Sequence, residues 1–254
     1  MQSTFADYAV RVTGDDAGLR LAAQLGEHGL ATFDGIASRE QALNLAATVM
    51  TLWPHRDSEE DGITVLSDRG DTAQQPGLAG FGNTALDLHT ETATIAEPPQ
   101  LMMLTCISGA SSGGACRLAD GYKIFRHLRD GFPDLLEQLC QPRSVLFGGA
   151  VGYLGSVFEL GIDRRVRIRL RTDKLAKFSP QVAHRISQLR QEINRCAVGI
   201  PLQPGQGYLL ANTRWLHGRD AFDGNRLMYR ILGNPLSTLD IPAGFPTAPT
   251  ATLR

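Results

Sequence analysis

Apolar residues recur at helical spacing in DDAGLRLAAQLGE (15–27) and SREQALNLAATVM (38–50), with a short strand, GLATF (29–33), between them. Ser38 stands three residues before Gln41, a capping-box pairing that marks a helix start. ITVLSD (63–68) reads as a strand, and the Gly-, Asp- and Gln-rich 69–85 as a long loop. LDLHTET (86–92) and LMMLTCI (101–107) are strand-like, and 121–130 and 132–140 carry helical patterns, the first capped by Asp120. SVLFGG opens a strand that enters the glycine-rich GGAVGYLGSVFELG, a candidate lid or an ordinary surface loop. RVRIRLR (165–171) alternates strictly. Val166, Ile168 and Leu170 should face a core, while Arg165, Arg167, Arg169 and Arg171 form either a solvated edge or a basic wall for an anion. A helix is expected over 180–195, then strands in VGIPL, GYLLANT and RLMYRILG, separated by PGQG and HGRDAFDGN.

Many short strands with Gly/Pro turns, and helices at the start and in one or two insertions, predict a mainly β fold with helical additions, a sandwich or jelly roll. The pattern assigns 1–233 to one domain and 234–254 to an extended, proline-bearing tail. No repeat of 20–50 residues is visible. GGAVGYLG lacks the Gly-Lys-Ser/Thr ending that would cradle a phosphate.

Composition narrows the function. Lys+Arg 25 against Asp+Glu 26 argues against a general nucleic-acid or membrane binder. Cys106, Cys116, Cys140 and Cys196 form no C-x-x-C pair, which fits reduced thiols better than a zinc cage or disulfide framework. No apolar run approaches the roughly 20 residues that span a bilayer. With no signal-peptide pattern in MQSTFADYAV, a soluble, cytoplasmic protein is expected.

The chemistry gathers around LDLHTET. In an extended chain His89 and Glu91 share a face, either as two metal ligands or as one ion pair. His217 ends the strand-like GYLLANTRWLH and is the third candidate ligand. Two imidazoles and one carboxylate on one side of a metal leave open positions, the facial triad of non-haem Fe(II) oxygenases. Arg226 opens the last strand and Arg230 lies four residues on, on the same face.

These residues resemble the Fe(II)/2-oxoglutarate-dependent dioxygenases, in particular their taurine dioxygenase/clavaminate synthase branch. The H-x-E of His89-Thr90-Glu91, the distant His217 and Arg226 carry the resemblance, and GGACRLADG (113–121) looks like the branch's Gly-Gly-x-Thr segment. It covers roughly 28–233 and implies a double-stranded β-helix holding Fe(II) on His89, Glu91 and His217. It further implies 2-oxoglutarate anchored by Arg226, with Arg230 near the substrate or the metal-side carboxylate; a planar guanidinium suits a carboxylate. WPHRDSEED (53–61) lies where related enzymes place substrate contacts, which makes His55 and Asp57 substrate candidates. Two departures stand out. Cys116 occupies the usual threonine position, which weakens a hydroxyl contact to 2-oxoglutarate, and the short spacing from His217 to Arg226 leaves open an exchange of roles between Arg226 and Arg230.

The implied activity is hydroxylation of an unactivated C–H bond in a small polar molecule, an amino acid or a metabolite derived from one, with O2 as the second substrate. Desaturation, cyclisation or epimerisation on the same cofactors is the nearest alternative. A non-catalytic metal-binding jelly roll and a zinc hydrolase are further ones.

Overall fold

The structure, a computed structural model, describes residues 5–70, 75 and 77–247. Residues 71–74 and 76 of the expected loop, and 248–254 of the expected tail, lie outside the described residues.

Two antiparallel sheets form the centre. One runs Leu30–Phe33, Gly207–Ala211, Leu101–Ser108, Leu227–Pro235, Met50–Leu52, with Thr64–Leu66 also paired to Leu227–Pro235. The other runs Ala197–Ile200, Cys116–Asp120, Trp215–Arg219, Leu86–His89. Strand alternation decides what each sheet buries. Met102, Leu104 and Cys106 of the first sheet meet Cys116, Leu118 and Trp215 of the second in one apolar cluster, the lumen of the double-stranded β-helix. Tyr208, Leu210, Met228 and Leu232 share that cluster. Leu118 and Leu210 are fully buried there, and truncating either to alanine costs about 2–5 kcal/mol.

The opposite faces are covered by helices. Leu101, Met103, Leu209 and Ile231 pack on Leu21, Leu25, Ala42 and Leu45 of the helices Ala17–His28 and Arg39–Ala47. The first of these stops because Gly29 adopts a left-handed φ of 66°, open to glycine at no steric penalty. The second starts with the expected reciprocal box of Ser38 and Gln41. Across the molecule, Leu88, Ala119 and Leu216 pack on Ile124, Leu128, Leu139 and Ile193, which belong to the helices Gly121–Gly131, Pro133–Cys140 and Ile186–Arg195. The fold is the expected jelly roll with helical additions.

Four details differ from the sequence expectations. GYLLANTRWLH is two strands, because the Arg214 N–H turns back to the Ala211 carbonyl (2.9 Å) and breaks the ladder at Asn212. The 180–195 helix divides into Pro180–Ala183 and Ile186–Arg195 where the Arg185 N–H bonds the Val182 carbonyl. GGAVGYLG is built into a small sheet of Ala176–Phe178, Val145–Phe147 and Tyr153–Gly155. Residues 236–247 have little regular structure, yet Phe245 is fully buried and Phe245–Pro246 pairs with the strand Arg165–Ile168.

Candidate metal centre

The Leu86–His89 strand ends at His89, so Glu91 is not aligned with it by strand alternation as the sequence suggested. The chain turns instead. Thr90 is fixed to Leu170, its N–H bonding the Leu170 carbonyl (2.8 Å) while its hydroxyl accepts from the Leu170 N–H (3.1 Å). Asn212, 1% exposed, clamps Glu91 by accepting its N–H (2.7 Å) and donating to its carbonyl (3.0 Å), and also donates to Pro99 (2.9 Å). Thr92 follows at φ 50°, a strained value for a β-branched residue, held by its hydroxyl's bond to the Glu91 carbonyl (2.8 Å). The result is a carboxylate delivered from a rigid turn.

His217 lies in mid-strand in Trp215–Arg219, directly opposite His89 in the ladder. The two rings are 4.2 Å apart, and one ligand atom from each of His89, Glu91 and His217 falls within 4.8 Å of the others. The His89 Nδ1 bonds the Asp87 carbonyl (2.8 Å), which makes Nδ1 the protonated nitrogen and leaves the Nε2 lone pair free. Burial, then the neighbouring His217, pushes His89 down to about 4, so the imidazole is neutral at physiological pH. The His217 Nε2 lies 3.6 Å from Glu91 Oε2. Two imidazoles and one ionised carboxylate converging on one point fit a divalent first-row metal.

Arg230 reaches the same carboxylate, its Nη1 2.7 Å from Glu91 Oε2. Burial alone would favour the neutral acid, but Arg230 and the nearby His217 outweigh it and hold Glu91 well below the usual carboxylate range. The buried Arg230 Nε has no partner. Burial first, then the positive charge of Arg230, lowers the His55 pKa. Its Nδ1 accepts the Asp57 N–H (3.1 Å), leaving Nε2–H as the donor of the neutral ring, and the Asp57 carboxylate lies 3.4 Å from Nδ1.

Arg226 occupies another corner of the lumen. It is 8% exposed, and among the described residues its guanidinium hydrogen-bonds only the Cys116 Sγ (3.8 Å) and stands over the Phe222 ring (5.6 Å). Burial raises the Cys116 pKa against the pull of Arg226, so the thiol stays protonated and brings no counter-charge. An arginine this deep without an oxygen partner is costly unless an anion meets it. Gly113 and Gly114, both at positive φ, bring the chain close here: a Cβ at Gly113 would lie 2.1 Å from the Ala221 carbonyl.

Two residues that motif reasoning passed over shape the site. Asn212 interrupts an apolar run, and that interruption was its one visible signal. Arg219, two residues past His217, donates to the carbonyls of Gly82 (2.6 Å), Thr84 (2.7 Å) and Gly80 (3.4 Å), tying the segment before Leu86–His89 to the metal strand. Its short HGR context gave no hint of that grip.

The model of the "Taurine catabolism dioxygenase TauD, TfdA family" matches residues 10–232. Mitochondrial trimethyllysine dioxygenase of Gallus gallus is 28% identical over 181 residues, 62% of this chain and 41% of that protein. The chain thus spans about two fifths of the length of the curated relatives it matches. An asparagine oxygenase solved with Fe(II), (2S,3S)-3-hydroxyasparagine and succinate superposes with a TM-score of 0.67 at 17% identity, covering 85% of this chain and 77% of that one. The non-haem iron oxygenase OrfP, solved with Fe, succinate and (3S)-hydroxy-L-Arg, gives 0.67 at 14% identity, over 87% and 81%.

Proposed function

Because the chain belongs to the taurine catabolism dioxygenase TauD, TfdA family, we propose that it is a non-haem Fe(II)/2-oxoglutarate-dependent dioxygenase that hydroxylates an amino acid or a metabolite derived from one. His89, Glu91 and His217 would hold the iron, and Arg226 the far carboxylate of 2-oxoglutarate. The observation that carries this reading is the buried Arg226 guanidinium, which has only a neutral thiol and an aromatic ring for company. A bidentate carboxylate is the natural complement of that fork.

When bound, iron and 2-oxoglutarate supply oxygen activation coupled to oxidative decarboxylation, the hard part of the reaction. This chain's residues orient and exclude. Asn212 and Leu170 hold the Glu91 turn so that the carboxylate need not reorganise. Cys116 packs beside Arg226 as a small neutral wall. Arg230 keeps Glu91 ionised and retains N–H capacity for a substrate carboxylate, while the neutral His55, backed by Asp57, presents its Nε2–H to a polar group beside it. Holding the target C–H within reach is a positioning effect. The hydroxylated amino acids in the asparagine oxygenase and OrfP complexes, and the amino-acid substrate in the name of trimethyllysine dioxygenase, support the substrate class.

The test is anaerobic. Fe(II) and then 2-oxoglutarate should produce a weak visible charge-transfer band in the parent. Glu91→Ala should abolish it through loss of metal, and Arg226→Ala through loss of 2-oxoglutarate. A parent that shows no band and no 2-oxoglutarate binding would sink the proposal. If the band appears, succinate release driven by candidate amino acids then identifies the substrate.

A further inference from the structure

Beside the turn that delivers Glu91 lies a cavity that the metal centre does not use. It holds about 350 Å3, the size of a small-molecule site. Thr90 and Asn212, the two residues that fix the turn, form part of its wall, yet none of the three metal ligands lines it. Two aromatic side chains, Trp53 and Tyr153, and two carboxylates, Glu97 and Glu159, also face it, together with Arg167 and Arg169.

The charges in that wall are unevenly answered. Arg167 is paired with Asp163 (2.7 Å). Arg169 directs its N–H groups to the carbonyls of Ala93, Ile95 and Ala96, and its guanidinium lies 3.9 Å from the centre of the Tyr153 ring. Glu159 accepts the Tyr153 hydroxyl (3.2 Å), and among the described residues neither Glu159 nor Glu97 has a cation within ion-pair distance. With Arg167 cancelled by Asp163, the two carboxylates face the single charge of Arg169, and one negative charge is left over. The half-buried Trp53 ring has no cation over it among the described residues. An ammonium or guanidinium is the complement of such a wall, drawn by the excess negative charge and by the negative face of the indole. An anion would meet net repulsion.

We propose that this cavity is an accessory binding site for a small organic cation bearing an ammonium or guanidinium group, separate from the substrate space at the metal. An occupant rests against Thr90 and Asn212, and so against the segment that sets the Glu91 carboxylate, while the metal ligands stay outside its walls. That is the placement of an effector. A substrate must instead bring its reacting bond to the metal.

The experiment is a 19F titration of the full chain labelled with 5-fluorotryptophan and loaded with diamagnetic Zn(II). The probes are butylguanidinium and benzylammonium, with butyrate and benzyl alcohol as the anionic and neutral controls. The chain has two tryptophans, so each gives one resonance. Both cations should shift the Trp53 resonance saturably and leave that of Trp215, 2% exposed in the lumen, in place. The controls should do neither at the same concentrations. Glu97 and Glu159 are exposed, so glutamine at either position keeps the fold. Glu97→Gln and Glu159→Gln should each weaken the cations about two- to fivefold, and both together about 10-fold, the scale of exposed carboxylates. Added salt should weaken them too. No saturable shift in the parent, an equal response to butyrate, or a double variant within twofold of the parent would each overturn the proposal. Glu91→Ala should leave the affinity within twofold. A larger loss there would put the cation at the metal centre and overturn the separate site. A parent that binds the cations but shows no 2-oxoglutarate band would lose the cofactor reading and keep this one.

Discussion

Two arginine-bearing stretches, RVRIRLR (165–171) and RLMYR (226–230), look alike in sequence and do opposite things. In the first, every guanidinium is answered by oxygen from the chain. Arg165 donates to the carbonyls of Ala243 (3.0 Å) and Gly244 (2.9 Å), and Arg167 to Asp163 (2.7 Å). Arg169 donates to Ala93 (2.9 Å), Ala96 (2.8 Å) and Ile95, while Arg171 takes both oxygens of Asp173. In the second stretch Arg226 meets a thiol and Arg230 a single carboxylate oxygen. The arginines of the basic wall considered from the sequence are therefore engaged by oxygens of the chain itself, carboxylates for Arg167 and Arg171 and carbonyls for Arg165 and Arg169. Burial does not separate the two stretches, since Arg169 and Arg230 are both 9% exposed. What separates them is whether the chain supplies the oxygens. Arginines already furnished with oxygens stitch loops together, and the one left wanting awaits a ligand.

The sharpest way to break this comparison is to exchange the same substitution between the two stretches. Arg226→Met should lower 2-oxoglutarate affinity at least 100-fold while leaving the melting temperature level or slightly raised, because it removes a buried charge that has no counter-ion. Arg169→Met should do the reverse. Three carbonyls lose their donor, at about 3 kcal/mol or roughly 6–12 °C in Tm, and 2-oxoglutarate affinity should hold. Calorimetric melting beside the anaerobic titration reads both, and a shared phenotype would erase the distinction.

The same logic carries over to acid and sharpens it at the metal centre. Folded His89 titrates at about 4, against 6.5 for the unperturbed side chain, so in the metal-free protein the unfolded state binds the extra proton between those values. Stability that is fully present above pH 6.5 should drain away as the pH falls towards 4. Chemical denaturation of the apoprotein at pH 7.0 and 5.0 should show the loss, and His89→Gln should flatten it. The smallest effect belongs to the exposed pair. Arg167→Gln, which breaks the ion pair to Asp163, should cost less than about 1 kcal/mol. It should leave the salt dependence of substrate turnover unchanged, and a marked change there would revive the basic wall.

Most of the fold was legible because apolar periodicity and capping chemistry are local. Ser38 with Gln41, and Asp120 ahead of its helix, declared their helices, and alternation exposed the strands. The metal-site candidates were legible as residue types in order, but not as geometry. Glu91 reaches His89 through a turn held by Asn212, 121 residues away in the chain, and by Leu170, and such pairings leave no periodic trace. Asn212 also explains why GYLLANTRWLH is not one strand, since it stands at the break the apolar pattern ran through.

Arg219 grips the segment before the His89 strand through main-chain carbonyls of Gly80, Gly82 and Thr84 alone. Every amino acid offers the same carbonyl, and Gly80 has open space where a side chain would project. The anchor is therefore indifferent to what is written at those positions. Selection or design can rewrite its exposed positions, Asn83 and Thr84 among them, while the buried Phe81 and Gly82 and the histidine strand behind them stay where they are.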